Sequence, residues 1–124
     1  MPVPAGIDDG VAAAWFLKGL TAQALVEDVE PVKPGMAVLA LAAGCDEVVL
    51  YREEDFAAGV MAFTAGEGVG VAYDAVGADT FEGALASLAI KGHLVHYGQA
   101  SGPIPPFDLS RLGATSAKVS RPFL

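Results

Sequence analysis

Three stretches of this chain carry residues whose types and spacing could do chemistry. They are Asp74-Ala75-Val76-Gly77, Tyr97-Gly98-Gln99-Ala100-Ser101-Gly102 and the glycine cluster Gly66 to Gly70. The first two each follow an apolar run that reads as a strand, so they stand at carboxyl ends, where open α/β sheets hold ligands. Glycines there let a backbone approach a ligand closely, and Gln99 and Ser101 can hydrogen-bond one. The plain alternatives are a tight turn in which Gly77 takes a positive φ, and a flexible loop after Tyr97. Residue types alone leave both open. The glycine cluster is different. A phosphate-binding turn must follow a strand and open a helix, because the helix N-terminus supplies the N–H groups and the positive dipole end. Here a helix precedes and a strand follows, so the cluster reads as helix termination.

The remaining candidates are weaker. His93 and His96 lie three apart in a strand and so point to opposite faces, which denies them a shared metal. Cys45 has no partner His or Cys nearby for zinc and reads as a small buried hydrophobe. Arg52-Glu53-Glu54-Asp55 reads as the solvated start of a helix. No metal ligand set and no catalytic residue can be nominated.

The elements that must position these loops alternate between strand and helix. Asp8 or Asp9 can cap a helix broken near Gly19 and ending before Pro31. Met36 to Gly44 is ambiguous between helix and buried strand. Glu47 to Tyr51 reads as a strand, Arg52 to Thr64 as a helix with carboxylates in its first turn, and Val71 to Val76 as a strand. Asp79 and Glu82 make a capping-box pair for a helix through Ala89. His93 to Tyr97 is the next strand, Asp108 to Leu112 a short helix, and Ser116 to Ser120 the last strand. This alternation predicts a parallel sheet covered on both faces.

Composition narrows the function classes. The chain has 124 residues, 53% hydrophobic and 18% charged, which predicts one folded domain over 1–124 rather than disorder. Its net charge of -8, with Lys and Arg scattered singly, argues against nucleic acid as a partner. The lone Cys45 fits a reducing compartment, and no apolar run reaches the ~20 residues of a membrane helix. There is no leader-like N-terminus. The reading is a cytoplasmic chain with no membrane partner.

Phe16-Leu17-Lys18-Gly19-Leu20-Thr21-Ala22, Val32-Lys33-Pro34-Gly35, Tyr51-Arg52-Glu53-Glu54-Asp55, Tyr73-Asp74-Ala75-Val76-Gly77, Tyr97 to Gly102 and Ser120-Arg121-Pro122 follow one another in a characteristic order. In that order they resemble the NADPH-dependent quinone oxidoreductases, the zeta-crystallin-like branch of the zinc-independent medium-chain dehydrogenases. The resemblance implies a truncated Rossmann-like three-layer α/β sandwich with a mostly parallel sheet of about five strands. It covers the cofactor half of such a protein, without the catalytic domain. It implies NADPH as cofactor and hydride transfer to a quinone as the reaction. Thr21 would lie near the nicotinamide end, and Tyr51 by the adenosine ribose and its 2′-phosphate. Val76 and Gly77 would border the cofactor groove, while Tyr97, Gly98 and Gln99 would line its nicotinamide side.

One part of the pattern is missing. Between Leu39 and Leu41 the family carries a glycine-rich turn, its helix, a second strand and most of another helix. The junction is seamless, as in an engineered deletion or a rearranged gene, and it makes NADPH binding doubtful and activity of the chain alone unexpected. Six residues, Leu41 to Asp46, then separate two strand candidates, too few for a parallel crossover. The outcomes are an antiparallel hairpin, a helical Met36 to Ala43, or strands exchanged between subunits, and exchange is favoured because it preserves parallel pairing. The last strand should lie at a sheet edge and pair with a second copy through Ala117 to Arg121, giving a homodimer or larger assembly.

Overall fold

The computed structural model describes residues 5–8, 10–12, 20–40 and 55–123. The chain forms two compact units, Met1–Val32 and Lys33–Phe123. In the first, the Asp8 carboxylate accepts the N–H groups of Gly10 and Val11 at 2.9 and 3.2 Å, the cap expected at the helix start. Residues 20–23 are helical and lead into a π-helix over Ala24–Val29 that buries Leu25. Its wider turn is closed by Glu30 N–H donating to Leu25 O, and Pro31 prevents continuation.

The second unit is a four-stranded parallel sheet in the order β1 (Val38–Ala40), β2 (Val69–Asp74), β3 (Leu88–His96) and β4 (Lys118–Ser120). Two helices lie between strands, α1 (Phe56–Phe63) and α2 (Phe81–Ala86), and a 3-10 turn at Leu109–Leu112 precedes β4. The Rossmann-like α/β class holds. Val38–Ala40 is a strand paired in parallel with β2, so a helix over this stretch is excluded. The expected fifth strand, Glu47 to Tyr51, lies outside the described residues, as does the Leu41 to Asp46 connection.

Register shows how the core forms. Leu39, Ala72, Leu94 and Val119 are paired across all four strands. Side chains alternate along a strand, so this row shares one face: Ala72 and Leu94 lie in the core with Val60, Phe81 and Ala84 from the helices, and half-buried Leu39 and Val119 pack against it. Val71, Tyr73 and Val95, on the other face, are also buried. A parallel sheet is covered on both sides in this way.

Helix ends follow local chemistry. Asp55 caps α1 by accepting from Ala57 and Ala58 N–H, and Gly66 and Gly68 take φ of +83° and +78° on the way into β2. The glycine cluster is thus helix termination and an αβ loop, as expected. The capping box at α2 does not form. Thr80 is the residue at the cap, and its hydroxyl donates to Asp74 Oδ1 at 2.9 Å instead. The helix ends at Ala86 rather than Ala89, because Leu88 already pairs with Val69 in the sheet. The β2–β3 register shifts there, and regular pairing resumes at His93.

Among the described residues, no helix is long and apolar enough to cross a membrane.

Candidate functional site

The two loops singled out by sequence, after β2 and after β3, meet. Tyr97 N–H donates to Asp74 O at 2.9 Å, Ala100 N–H to Ala75 O at 3.2 Å and Ser101 N–H to Val76 O at 2.7 Å. In return Ala78 N–H donates to Gly102 O at 3.1 Å. Ser101 Oγ donates to Val76 O at 2.9 Å and accepts from Asp79 N–H at 3.0 Å. Such a clasp needs two glycines. A Cβ on Gly98 would stand 2.5 Å from Ala75 O, and one on Gly77 would stand 2.5 Å from Gly102 O. Gly77 also has φ +98°, so it is the positive-φ turn residue.

Asp74, the last residue of β2, organises the corner from inside. It is fully buried, and its Oδ1 accepts from Val76 N–H at 2.8 Å, Gly77 N–H at 3.2 Å and the Thr80 hydroxyl. A carboxylate replaces the absent helical partners of these N–H groups. Its register partner on β3 is His96, also buried, with Nδ1 3.8 Å from Asp74 Oδ2. Burial foremost, aided by the Arg121 charge, lowers the His96 pKa below its ordinary 6.5 despite the attraction of Asp74. Burial foremost, and then the Asp74 charge, raise the Tyr97 phenol above its ordinary 10.0. His93, by contrast, has its Nε2 2.7 Å from Ser120 Oγ, so the two histidines serve opposite faces, as expected.

Beyond the clasp lies a groove of about 530 Å³. Ile104, Phe107, Leu112 and Val119 make it apolar, and His96, Gln99 and Arg121 supply polar groups. Phe107 is fixed by its ring contact with Phe81 on α2, centroids 4.8 Å apart.

The structure therefore brings five of the seven candidate residues together, Val76, Gly77, Tyr97, Gly98 and Gln99. Thr21 belongs to the first unit, half-buried on the helical turn 20–23. Tyr51 lies outside the described residues. Sequence reasoning denied His96 a metal shared with His93 and missed its pairing with Asp74. The available signal was that both close adjacent strands. Among the described residues no three His, Cys, Asp or Glu side chains gather as a metal site, so zinc has no donor set there.

The clasp also limits what can bind. The N–H groups of Val76, Gly77, Ala78, Tyr97, Ala100 and Ser101 are already bonded within it. They cannot cradle a phosphate. Of the five candidate residues brought together, Gln99 also lines the groove.

The chain belongs to the family described as zinc-binding dehydrogenase, whose pattern matches residues 10–124. It is 32% identical to a 2-haloacrylate reductase of a Burkholderia species, over all of this chain and 48% of that relative. The alignment spans 163 residues, 39 more than the 124 present here, so the relative has residues within this span that the chain lacks. It is also 32% identical to quinone oxidoreductase 1 of Escherichia coli, over 98% of this chain and 48% of that protein. Among solved structures, a mycobacterial protein complexed with NADPH matches at 37% identity and TM-score 0.87, over 98% of this chain and 48% of that one. The Escherichia coli quinone oxidoreductase complexed with NADPH matches with TM-score 0.88 at 31% identity, over 99% and 49%. The chain thus spans about half the length of these relatives.

Proposed function

We propose that this chain carries the nicotinamide side of an NADPH groove of the quinone oxidoreductase kind without its pyrophosphate cradle. It would bind NADPH weakly and not turn over quinone by itself. The observation that supports this reading is the clasp at the carboxyl ends of β2 and β3, beside which Gln99 lines a groove of about 530 Å³. NADPH, when bound, supplies the hydride for a quinone. The chain's own residues would position it: Gln99 with a hydrogen-bonding amide at the groove, and Val76, Gly77, Tyr97 and Gly98 as the family resemblance assigns them. Thr21 and Tyr51 are assigned to the nicotinamide end and the adenosine ribose by the family resemblance alone.

The weakness follows from what comes after β1. In place of a glycine-rich turn, residues 41–54 contain only Gly44. A pyrophosphate bound at such a turn gains charge-assisted hydrogen bonds of about 1.5–3 kcal/mol each, so losing two or three weakens binding by several powers of ten.

NADPH titration followed by fluorescence tests the binding half, and NADPH absorbance with a simple quinone tests turnover. Weak binding with no consumption above a protein-free control is expected. Tight binding or steady consumption overturns the reading.

A second copy of the chain is the partner proposed with it. Among the described strands, β4 lies at the sheet edge and pairs on one side only, with β3. Its outer N–H and C=O row invites a further strand, and Pro122 confines pairing to Ala117 to Arg121. Light scattering should find at least a dimer at tens of micromolar; a 12.6 kDa species alone refutes it.

A further inference from the structure

Two apolar features beside β4 lack a cover. The groove of about 530 Å³ is walled by Ile104, Phe107, Leu109, Leu112 and Val119, and Leu109 is 70% exposed. Phe123, just past β4, is wholly exposed and takes no part in lining that groove. One exposed apolar side chain is ordinary. A bare aromatic ring and an open apolar groove on the same edge are complementary, and such surfaces mark sites of association.

The strand between them supplies the geometry. Among the described strands, β4 pairs on one side only, with β3. Pro122 keeps Arg121 in extended backbone, so the alternation of β4 carries on and Val119, Arg121 and Phe123 share one face. Val119 packs on the core and lines the groove with Arg121, while the Ser120 hydroxyl lies on the opposite face, 2.7 Å from His93 Nε2. The row that ends in Phe123 is therefore the groove side.

Two copies that close on each other share a self-complementary surface about a twofold axis. For edge strands this means antiparallel pairing of β4 with its own copy, with both groove faces on the same side of the joined sheet. Pairing over Ala117 to Arg121 is centred near Val119, which brings Phe123 of one copy opposite residues 115–117 of the other. Leu112 is held at that place, because its carbonyl accepts the Ala117 N–H at 3.0 Å. We propose that Phe123 of a second copy seats on Leu109 and Leu112 of the first, and reciprocally, so that the partner closes the groove. This rests on the dimer reading above and names the side chains that hold the dimer.

Phe123→Ala tests it on the whole chain, since a wholly exposed side chain can be removed without cost to the fold of one copy. Burial of a Phe ring is worth at least about tenfold in an equilibrium constant, and the twofold axis makes the contact twice. Association should weaken about 100-fold. Light scattering at tens of micromolar should find the unsubstituted chain dimeric and Phe123→Ala monomeric. The place of the ring is read by mixing isotope-labelled with unlabelled chains: filtered NOE spectra should connect the Phe123 ring of one chain to the Leu112 methyls of the other. A monomeric unsubstituted chain overturns the dimer reading and this proposal with it. A dimer that Phe123→Ala leaves intact, or that lacks the cross-chain Phe123–Leu112 signals, overturns this proposal alone.

Discussion

Gly77→Ala is the sharpest probe of the clasp. Two separate costs meet at this position. Gly77 has φ +98°, and an L-residue forced into a left-handed backbone loses about 1–2 kcal/mol. In addition the new Cβ would stand 2.5 Å from Gly102 O and 3.2 Å from Gln99 Cα. Those neighbours are backbone and cannot swing aside. Gly102 O already accepts from Ala78 N–H, and Ser101 is tied to Val76 O by both its N–H and its hydroxyl. Relief of the overlap therefore opens the clasp, at the ~1–3 kcal/mol typical of overpacking. The total is about 2–5 kcal/mol. Gly66→Ala serves as the reference, since Gly66 has φ +83° with nothing within 4 Å of its Cβ position. It should show the backbone cost alone. Gly98→Ala should show the steric cost alone, with Ala75 O 2.5 Å away and no positive φ. Thermal unfolding of the three variants separates the contributions, at about 4–8 °C per kcal/mol for a domain of this size. Gly77→Ala should melt at least about 5 °C below Gly66→Ala. Equal melting temperatures would mean that the two loops are not held together, and the site described above would lose its basis.

Stability should also fall as pH drops. Burial lowers the His96 pKa below 6.5, with Asp74 and Arg121 as the charges facing it. The folded chain therefore holds the neutral ring while the unfolded chain takes up a proton near pH 6.5. The His96 contribution is complete above that pH and is lost as pH falls below it, until the folded-state value is passed; melting curves of His96→Phe should be flatter over the same range. Leu94→Ala, fully buried in the middle of the four-strand row, should cost about 2–5 kcal/mol in denaturant unfolding. Asp55→Ala should cost about 0.5–2 kcal/mol by leaving the Ala57 and Ala58 N–H groups uncapped. Arg111→Ala should leave the melting temperature unchanged, because its paired carboxylate on Glu82 is mostly exposed and solvent takes the place of the bond.

The parts legible in sequence were those fixed by neighbours in the chain. Gly66 and Gly68 after a helix, Gly77 after a strand, and Asp8 before a helix each need only a few adjacent residues to act. What the sequence hid depends on pairing across strands. Met36 to Gly44 was undecidable because its helical alanines and leucines competed with a strand position; pairing of Val38–Ala40 with β2 decides it. The capping box at Asp79 and Glu82 failed for a related reason. Thr80 was drawn inward by Asp74, whose own place is set by β2, and Glu82 turned outward to Arg111.

The Asp74–His96 pair shows the same dependence at the site itself. Twenty-two positions separate the two residues, and no local pattern links them, yet parallel register makes them partners at the carboxyl ends of adjacent strands. A buried carboxylate at that position has two tasks that cannot share one oxygen. Oδ1 is used up by Val76, Gly77 and Thr80, and closes the turn. Oδ2 is left without a bond and faces an imidazole. The turn could therefore be kept by an Asn at position 74, whose amide oxygen accepts the same three donors, while the negative charge facing His96 would be lost. Asp74→Asn should then fold like the unsubstituted chain but hold His96 neutral to still lower pH, because the Asp74 charge that opposes the effect of burial would be gone. A variant that folds and leaves the His96 titration unchanged by imidazole NMR would show that the carboxylate serves the turn only.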